Sequence, residues 1–371
     1  MNARLPRTSQ AGQAGASPAL PGEVLPGAQA AAARLPVCDH YSGVEARMRK
    51  SLALQAELAE EFGACVFDVT LDCEDGAPVG GEAEHAALVA ELAQARAAAG
   101  AGAGLALRVA ARVHAVDHPA FEADIATLVA RAGHALSHLM LPKVESAADI
   151  DRAVALIDHA GGGHLPVHAL IESPAAVHRA FDIAAHPRVE SLSFGLMDFV
   201  SAHGGAIPAQ AMQGEGQFSH PLVRRAKLEI ASAAHAWGKV PAHGVVTEFR
   251  DLAVLAQSAR RAAHEFGFTR MWSIHPDQIR PIVEAFAPDP DSVATAAAIL
   301  AQAMAQDWAP IAFHGQLHDR ASYRYHWQVL QRARQTGRPL PADILHWWPS
   351  RPANESAGTA PGSCPATHPQ L

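Results

Sequence analysis

The stretch HALIESPAAVHRAFDIAAHPRVESLSFGLMD, residues 168–198, contains two short apolar runs separated by a helix-like segment. Each run ends at or just before an acid, which is Glu172 in the first case and Asp198 in the second. The spacing is that of a strand–helix–strand unit, because parallel strands need a crossover of a dozen or more residues. Both carboxylates would therefore face out of the same end of a sheet.

Two adjacent carboxylates repel each other unless a cation lies between them. Hard oxygen donors suit Mg²⁺, and Mn²⁺ is also possible. Taken singly, Asp198 could equally begin a helix, and Glu172 could belong to a surface ion pair. The interpretation of Glu172 and Asp198 as metal ligands gains weight because the same pattern recurs along the chain.

Short apolar runs alternate with Ala- and Leu-rich segments whose apolar residues recur at three- and four-residue steps, as in helices. Near-continuous apolar strands indicate a parallel sheet covered on both faces. Eight such repeats predict a (β/α)₈ barrel, with a doubly wound open sheet as the alternative. The runs are LPVC (35–38), CVFDVTL (65–71), GLALRV (104–109), HLMLPK (138–143), HALIE (168–172), SLSFG (191–195), VPAHGVV (240–246) and RMWSIH (270–275).

The barrel is expected to span residues 34–286 and to hold the metal and substrate site. Residues 287–345 read as a helical C-terminal extension that contacts another subunit. Residues 1–33 and 349–371 are rich in Ala, Gly, Pro and Ser, a composition typical of disordered tails.

The 371 residues are 49% hydrophobic, which supports a sizeable core, and carry a formal net charge of −8. That charge argues against general binding to nucleic acid or to an anionic membrane surface. No apolar run approaches 18 residues and no secretory signal is evident, so a cytoplasmic protein is expected. The four cysteines show no CxxC spacing and no disulfide framework.

Ionisable residues follow the predicted strands, and in barrels the active site lies at the carboxyl ends of the strands. Glu74 and Asp75 follow the second strand, Arg108 ends the third and Lys143 ends the fourth. Lys143 could bind a substrate carboxylate or simply pair with neighbouring acids. A polar cavity with a metal ion is predicted, and a histidine-based zinc site has no support from residue spacing.

Several motifs follow one another in a fixed order over residues 65–335: DVTLDCEDGAP, LPKVES, ALIESPAAV, FGLMDFVSAHGG, GFTRMWSIHPDQI and GQLHD. With these motifs the sequence resembles the citrate lyase β-subunit-like branch of the HpcH/HpaI aldolase superfamily, which includes malyl-CoA and citramalyl-CoA lyases. The resemblance implies a Mg²⁺-dependent lyase that cleaves a 3-hydroxyacyl-CoA or a related 3-hydroxy acid to a 2-oxo acid and an enolate-derived product.

The resemblance also implies roles for individual residues and a homo-oligomer, either a trimer or a hexamer. The oligomer follows from Asp319, in GQLHD, which matches an acid that a neighbouring subunit supplies. The implied roles are metal binding by Glu172 and Asp198, substrate binding by Arg108 and Lys143, and catalysis by Asp319, Asp75 and Glu74.

Three departures from the family pattern concern coenzyme A. The segment LPVCDHYSG lacks the family's VPG-like turn, Met271 stands where a lysine is usual, and an Arg-x-Asn pattern is replaced by Arg108-Val109-Ala110. These departures favour a second hypothesis, a coenzyme A-independent pyruvate-type class II aldolase. A third is a non-catalytic metal-binding barrel protein.

Overall fold

In the computed structural model, which describes residues 19–25, 35–100 and 106–348, eight parallel strands close into a barrel in sequence order. The predicted (β/α)₈ barrel is thereby confirmed, and the open-sheet alternative is wrong. The strands are β1 (Cys38–Ser42), β2 (Phe67–Asp72), β3 (Val109–Arg112), β4 (Leu139–Leu141), β5 (Val167–Ile171), β6 (Val189–Phe194), β7 (Val240–His243) and β8 (Arg270–Ser273).

Helices surround the barrel because their apolar faces pack against the outward side chains of the strands. The helices are α1 (Pro21–Val24), α2 (Glu45–Phe62), α3 (Glu82–Gly100), α4 (Phe121–Ala132), α5 (Ala147–His159), α6 (Pro174–His178), α7 (Ala180–Ala185), α8 (Leu196–Ser201), α9 (Gly216–Ser219), α10 (Pro221–Ala236), α11 (Leu252–Glu265), α12 (Pro276–Phe286), α13 (Pro290–Ala305) and α14 (Arg320–Gln335).

The first and third strands lie further along the chain than the apolar runs predict. Strand β1 begins at Cys38 and pairs with β2 and β8, although it contains Asp39 and His40. Strand β3 begins at Val109, after the predicted run 104–109, of which residues 104 and 105 lie outside the described part. The shift in β3 moves Arg108 from the carboxyl end to the amino end of the barrel.

The inside of the barrel is layered, because every second residue of a strand points inward. In β5 and just after it, the inward series is His168, Leu170 and Glu172, from the amino end to the carboxyl end. Leu170 belongs to a small apolar cluster with Met140, Ala242 and Trp272, which is separate from the core outside the barrel. We call this cluster the middle layer. It separates a charged layer at the amino end of the barrel, which includes Asp39, Asp68 and Arg270, from the mouth, which is the polar carboxyl end that Glu172 faces.

A second apolar cluster lies beyond the barrel. It is built on α13, α14 and the hairpin of β9 (Ile311–Phe313) and β10 (Gln316–His318). Helix α1 joins it, since Leu25 is buried there and the Trp308 indole donates a hydrogen bond to the Ala19 carbonyl (3.1 Å). The expected disordered tail 1–33 is therefore wrong at residues 19–25, because their apolar side chains find a core. The remainder of that tail, and residues 349–371, lie outside the described residues.

The described helices include none that is both long and apolar enough to cross a membrane. Cys38 and Cys73 are buried free thiols and Cys65 is a half-buried one, while Cys364 lies outside the described residues.

Candidate metal and substrate site

A cavity of about 840 Å³ opens at the carboxyl ends of the strands. Both predicted metal ligands, Glu172 and Asp198, line it. Tyr41, Asp72 and Arg112 line the same cavity. The structure therefore brings two acids from adjacent βα units together with an arginine and a phenol.

Glu172 follows β5 and is only 6% exposed. Its Oε1 accepts a hydrogen bond from the Lys143 backbone N–H at 2.6 Å. Lys143 adopts a φ of 51°, which is unusual for a residue other than glycine and turns this N–H toward the acid. Burial, together with the nearby Asp198 carboxylate, raises the pKa of Glu172 to about 8. A bound cation would relieve both effects.

Asp198 lies in the first turn of α8, which begins directly after Gly195. A Cβ atom on Gly195 would lie 2.4 Å from both Cβ and Oε2 of Glu172. Only glycine permits this approach, because real Cβ atoms do not come so close to other heavy atoms. Because glycine has no side chain, the start of α8 can lie against Glu172, and this brings Asp198 close to Glu172.

Arg112 is the arginine of the cavity. Its Nε donates to Asp72 Oδ1 at 2.6 Å, and its Nη1 lies 2.8 Å from Glu74 Oε2. Its guanidinium lies over the Tyr41 ring, 4.5 Å from the centroid. These contacts fix the guanidinium in the wall of the cavity that Glu172 and Asp198 also line.

Arg108, the expected substrate arginine, lies at the other end of the barrel, so this expectation is corrected. Its Nε donates to Asp68 Oδ1 at 2.9 Å, and its Nη2 lies 4.0 Å from Glu190 Oε2. Arg108 and Arg112 are four residues apart and both point inward, so the position of the strand decides which one reaches the mouth. The residues between the two arginines, Val109-Ala110-Ala111, have little strand character, so no local signal in the sequence distinguishes Arg112 from Arg108.

Glu74 and Asp75 lie beside the cavity as a pair with Lys143. Glu74 is buried and contacts the Lys143 ammonium, while the more exposed Asp75 lies 3.3 Å from the same nitrogen. Lys143 is therefore held by two acids, as the pairing alternative supposes, and its backbone supports Glu172. The catalytic roles of Glu74 and Asp75, and substrate binding by Lys143, stay predictions.

Asp319 lies outside the cavity of its own chain. Its exposed carboxylate caps α14 by accepting hydrogen bonds from the N–H groups of Ala321 (2.9 Å) and Ser322 (3.4 Å). Its predicted action in a neighbouring subunit stays a prediction.

Tyr41 is a site residue that the motifs did not indicate. Its ring packs on Trp272, with centroids 4.1 Å apart, and its buried hydroxyl has no hydrogen-bond partner among the described residues. Burial raises the pKa of this phenol well above its usual value, so the hydroxyl remains protonated. It is an unpaired donor in the wall of the cavity.

The profile of the HpcH/HpaI aldolase/citrate lyase family matches residues 51–276 of the chain. The L-malyl-CoA/beta-methylmalyl-CoA lyase of Cereibacter sphaeroides is 32% identical over 240 residues, which are 60% of this chain and 75% of that protein. The malyl-CoA/beta-methylmalyl-CoA/citramalyl-CoA lyase of Chloroflexus aurantiacus is 28% identical over 253 residues, 62% of this chain and 72% of that protein.

Solved structures share the fold. A citrate lyase from Burkholderia xenovorans LB400 is 50% identical with a TM-score of 0.74, covering 89% of this chain and 99% of that one. The protein CitE from Mycobacterium tuberculosis, solved with magnesium, acetoacetate and coenzyme A, is 23% identical with a TM-score of 0.59. That alignment covers 81% of this chain and 99% of the other.

Proposed function

The chain is a lyase that belongs to the HpcH/HpaI aldolase/citrate lyase family, and we propose that it cleaves a 3-hydroxyacyl-CoA of the malyl- or citramalyl-CoA kind with the help of Mg²⁺. The family match confirms the resemblance that the motifs predicted. The observation that carries the proposed reaction is the convergence of Glu172, Asp198 and Arg112 on one cavity.

The donor set fits a hard divalent cation. Two carboxylates that face the same space, one of them buried with a pKa raised to about 8, are stabilised when such an ion lies between them. Glu172 and Asp198 would hold the ion and leave its other positions to water and substrate oxygens. When bound, Mg²⁺ supplies Lewis-acid polarisation of the oxygen that becomes the 2-oxo group.

Arg112 takes the role that the motifs assigned to Arg108. A guanidinium fixed by Asp72 and Glu74 in advance of the reaction can bind a substrate carboxylate or offset developing oxyanion charge without rearranging. The Tyr41 hydroxyl is placed to donate to a second substrate oxygen.

The bond changes need one base and one acid. A carboxylate takes the proton from the substrate hydroxyl, the adjacent C–C bond breaks, and the former carbinol carbon becomes the carbonyl of the 2-oxo acid. The electron pair of the broken bond passes to the thioester enolate, which is then protonated at carbon. Asp319 of a neighbouring copy is the proposed proton carrier, with Glu74 and Asp75 as the acids at hand within the chain.

A coenzyme A-independent aldolase of the pyruvate type is the second candidate. The observation in its favour concerns the segment DHYSG, which stands where the family has a VPG-like turn. Its Tyr41 lines the cavity and packs on Trp272 of β8. Among the described residues no feature favours the non-catalytic alternative, since the acids and the arginine that the chemistry needs lie together.

One assay separates the two reactions. Purified protein is supplied with Mg²⁺ and either malyl-CoA, citramalyl-CoA or coenzyme A-free 4-hydroxy-2-oxo acids. Release of 2-oxo acid from the thioesters is followed with phenylhydrazine, and release of pyruvate from the free acids is followed with lactate dehydrogenase and NADH. Release from the thioesters supports the proposal, and release from the free acids alone supports the second candidate.

Glu172→Gln and Asp198→Asn are expected to abolish release. Glu57→Gln, a change at an exposed acid of α2 that does not line the cavity, is expected to leave it unaltered. Activity that survives both site variants would overturn the assigned site.

A further inference from the structure

The charged layer at the amino end of the barrel contains a cluster that the lyase chemistry does not use. Asp39 of β1, His138 just before β4 and His168 of β5 each offer a ligand atom, and these atoms all lie within 4.8 Å of one another. Asp39, His138 and His168 are all completely buried. The two imidazole rings are nearly parallel, with centroids 3.5 Å apart.

The ring nitrogens of this cluster lack partners. Neither Nδ1 nor Nε2 of His138 has a hydrogen-bond partner among the described residues, and neither has Nδ1 of His168. Buried polar atoms are normally paired, because their desolvation is otherwise uncompensated. A neutral imidazole carries one N–H and one lone pair, so a ligand that accepts lone pairs would satisfy one ring nitrogen of His138 and Nδ1 of His168.

The one paired nitrogen of His168 supports this interpretation. Its Nε2 lies 3.1 Å from Glu190 Oε2. Imidazoles that bind metals usually donate their second ring N–H to a carboxylate, which fixes the tautomer and turns the other lone pair toward the ion. Glu190 would act in that way here and leave the lone pair on Nδ1 of His168 available to an ion.

The charge balance of the layer also accommodates a cation. Arg270 Nη2 lies 2.8 Å from Asp39 Oδ2 and 2.7 Å from Asp68 Oδ2, and Arg108 pairs with Asp68. With Glu190, three carboxylates face two guanidinium groups across this part of the described barrel. Burial lowers the pKa of His138 well below its usual value, which keeps its lone pair free.

We propose that Asp39, His138 and His168 bind a transition-metal ion of the zinc class. Two imidazoles and one carboxylate suit Zn²⁺ and its neighbours, whereas Mg²⁺ prefers oxygen ligands. The ion would tie β1 to β4 and β5 across the floor of the barrel, and the apolar middle layer separates it from Glu172 and Asp198 at the mouth. Its role is structural, and the proposal does not depend on the proposed lyase reaction.

The test measures bound metal, not activity. Full-length protein carrying Glu172→Gln and Asp198→Asn, which removes the mouth site, is supplied with Zn²⁺ and dialysed against a weak chelator. Bound zinc is measured by plasma mass spectrometry. One ion per chain is expected.

Three further changes locate that ion. His138→Gln in the same background should remove it, and Glu190→Gln should weaken binding by about 10- to 100-fold. His243→Gln is the matched control, because His243 is an equally buried histidine with an orphaned ring nitrogen elsewhere in the fold. It should retain the ion.

A crystal of the unmodified protein, measured at the zinc absorption edge, tests the position without any variant. An anomalous peak between Asp39, His138 and His168 supports the proposal even if His138→Gln fails to fold. No bound zinc in the double variant, equal binding in His138→Gln, or an ordered water in place of a metal peak would each overturn it.

Discussion

Gly195 faces Glu172 so closely that any side chain there must displace the carboxylate. Gly195→Ala puts a methyl group 2.4 Å from Glu172 Oε2. We expect the affinity for Mg²⁺ to fall by about 10-fold or more, the scale seen when the support of a metal ligand is lost. Titration calorimetry of the purified variant measures this change. Gly163→Ala is the control, since its added Cβ would make only an ordinary contact, 3.6 Å from Asp158. Unchanged Mg²⁺ binding in Gly195→Ala would contradict the assigned ligand.

Arg112 and Arg108 offer a matched pair for the assignment of the substrate cation. Arg112→Lys keeps the charge but cannot hold Asp72 and Glu74 together, so kcat/KM should fall by about 100- to 1000-fold, as when an oxyanion donor is lost. Arg108→Lys, at the far end of the barrel, should leave kcat/KM near that of the unmodified protein and act on thermal stability instead. Steady-state kinetics and a melting curve on both variants decide the matter. The opposite pattern would restore Arg108 to the site.

At the scale of elements, the pairing of β1 with β8 closes the barrel, and a buried histidine of β1 contacts a serine of β8. His40 Nδ1 lies 3.0 Å from Ser273 Oγ, and burial lowers the pKa of His40 to about 4. The unfolded chain takes up this proton near pH 6.5 and the folded chain only near pH 4. The contribution of neutral His40 to the free energy of unfolding is therefore complete above pH 6.5 and is lost as the pH falls from 6.5 to 4. The loss approaches about 3 kcal/mol for this group.

Urea unfolding between pH 7 and pH 4.5 measures that loss. His40→Gln should show a shallower decline than the unmodified protein, because one proton fewer is taken up on unfolding. His159→Gln, at an exposed position, should keep the original slope. Identical slopes in all three proteins would show that His40 does not titrate in this way.

The elements differ in how far the sequence alone predicts them. Strands β5 (VHALI) and β6 (VESLSF) contain recognisable apolar runs that end near Glu172 and Asp198, so the sequence predicts both the strands and the pair of acids. Strand β3 is built from Val109, Ala110 and Ala111 and has little strand character of its own. Its position is decided by pairing with β2. Because the predicted strand ends too early, Arg108 is predicted at the position in the site that Arg112 occupies.

The layer of Asp39, His138 and His168 has no local signature at all. Its members lie in β1, just before β4 and in β5, and they meet only because the closed barrel sets the register between strands. Tyr41 is missed for the same reason, since its neighbours Trp272 and Arg112 come from distant parts of the chain. Contacts across a barrel depend on pairing that no single segment encodes.

At the scale of the whole molecule, the proposed site is incomplete without a second copy, because Asp319 lies outside the cavity of its own chain. Asp319→Asn and Glu172→Gln should each be inactive alone. Co-expressed with different tags and purified as mixed oligomers, they should regain about a third of the unmodified activity in a trimer and about a quarter in a hexamer, since random assembly pairs the two intact residues in that share of the sites of mixed oligomers. Release of 2-oxo acid by the doubly tagged fraction measures the recovery, and a mixture made after separate purification is the control. Full activity in Asp319→Asn alone, or no recovery on mixing, would remove Asp319 from the mechanism.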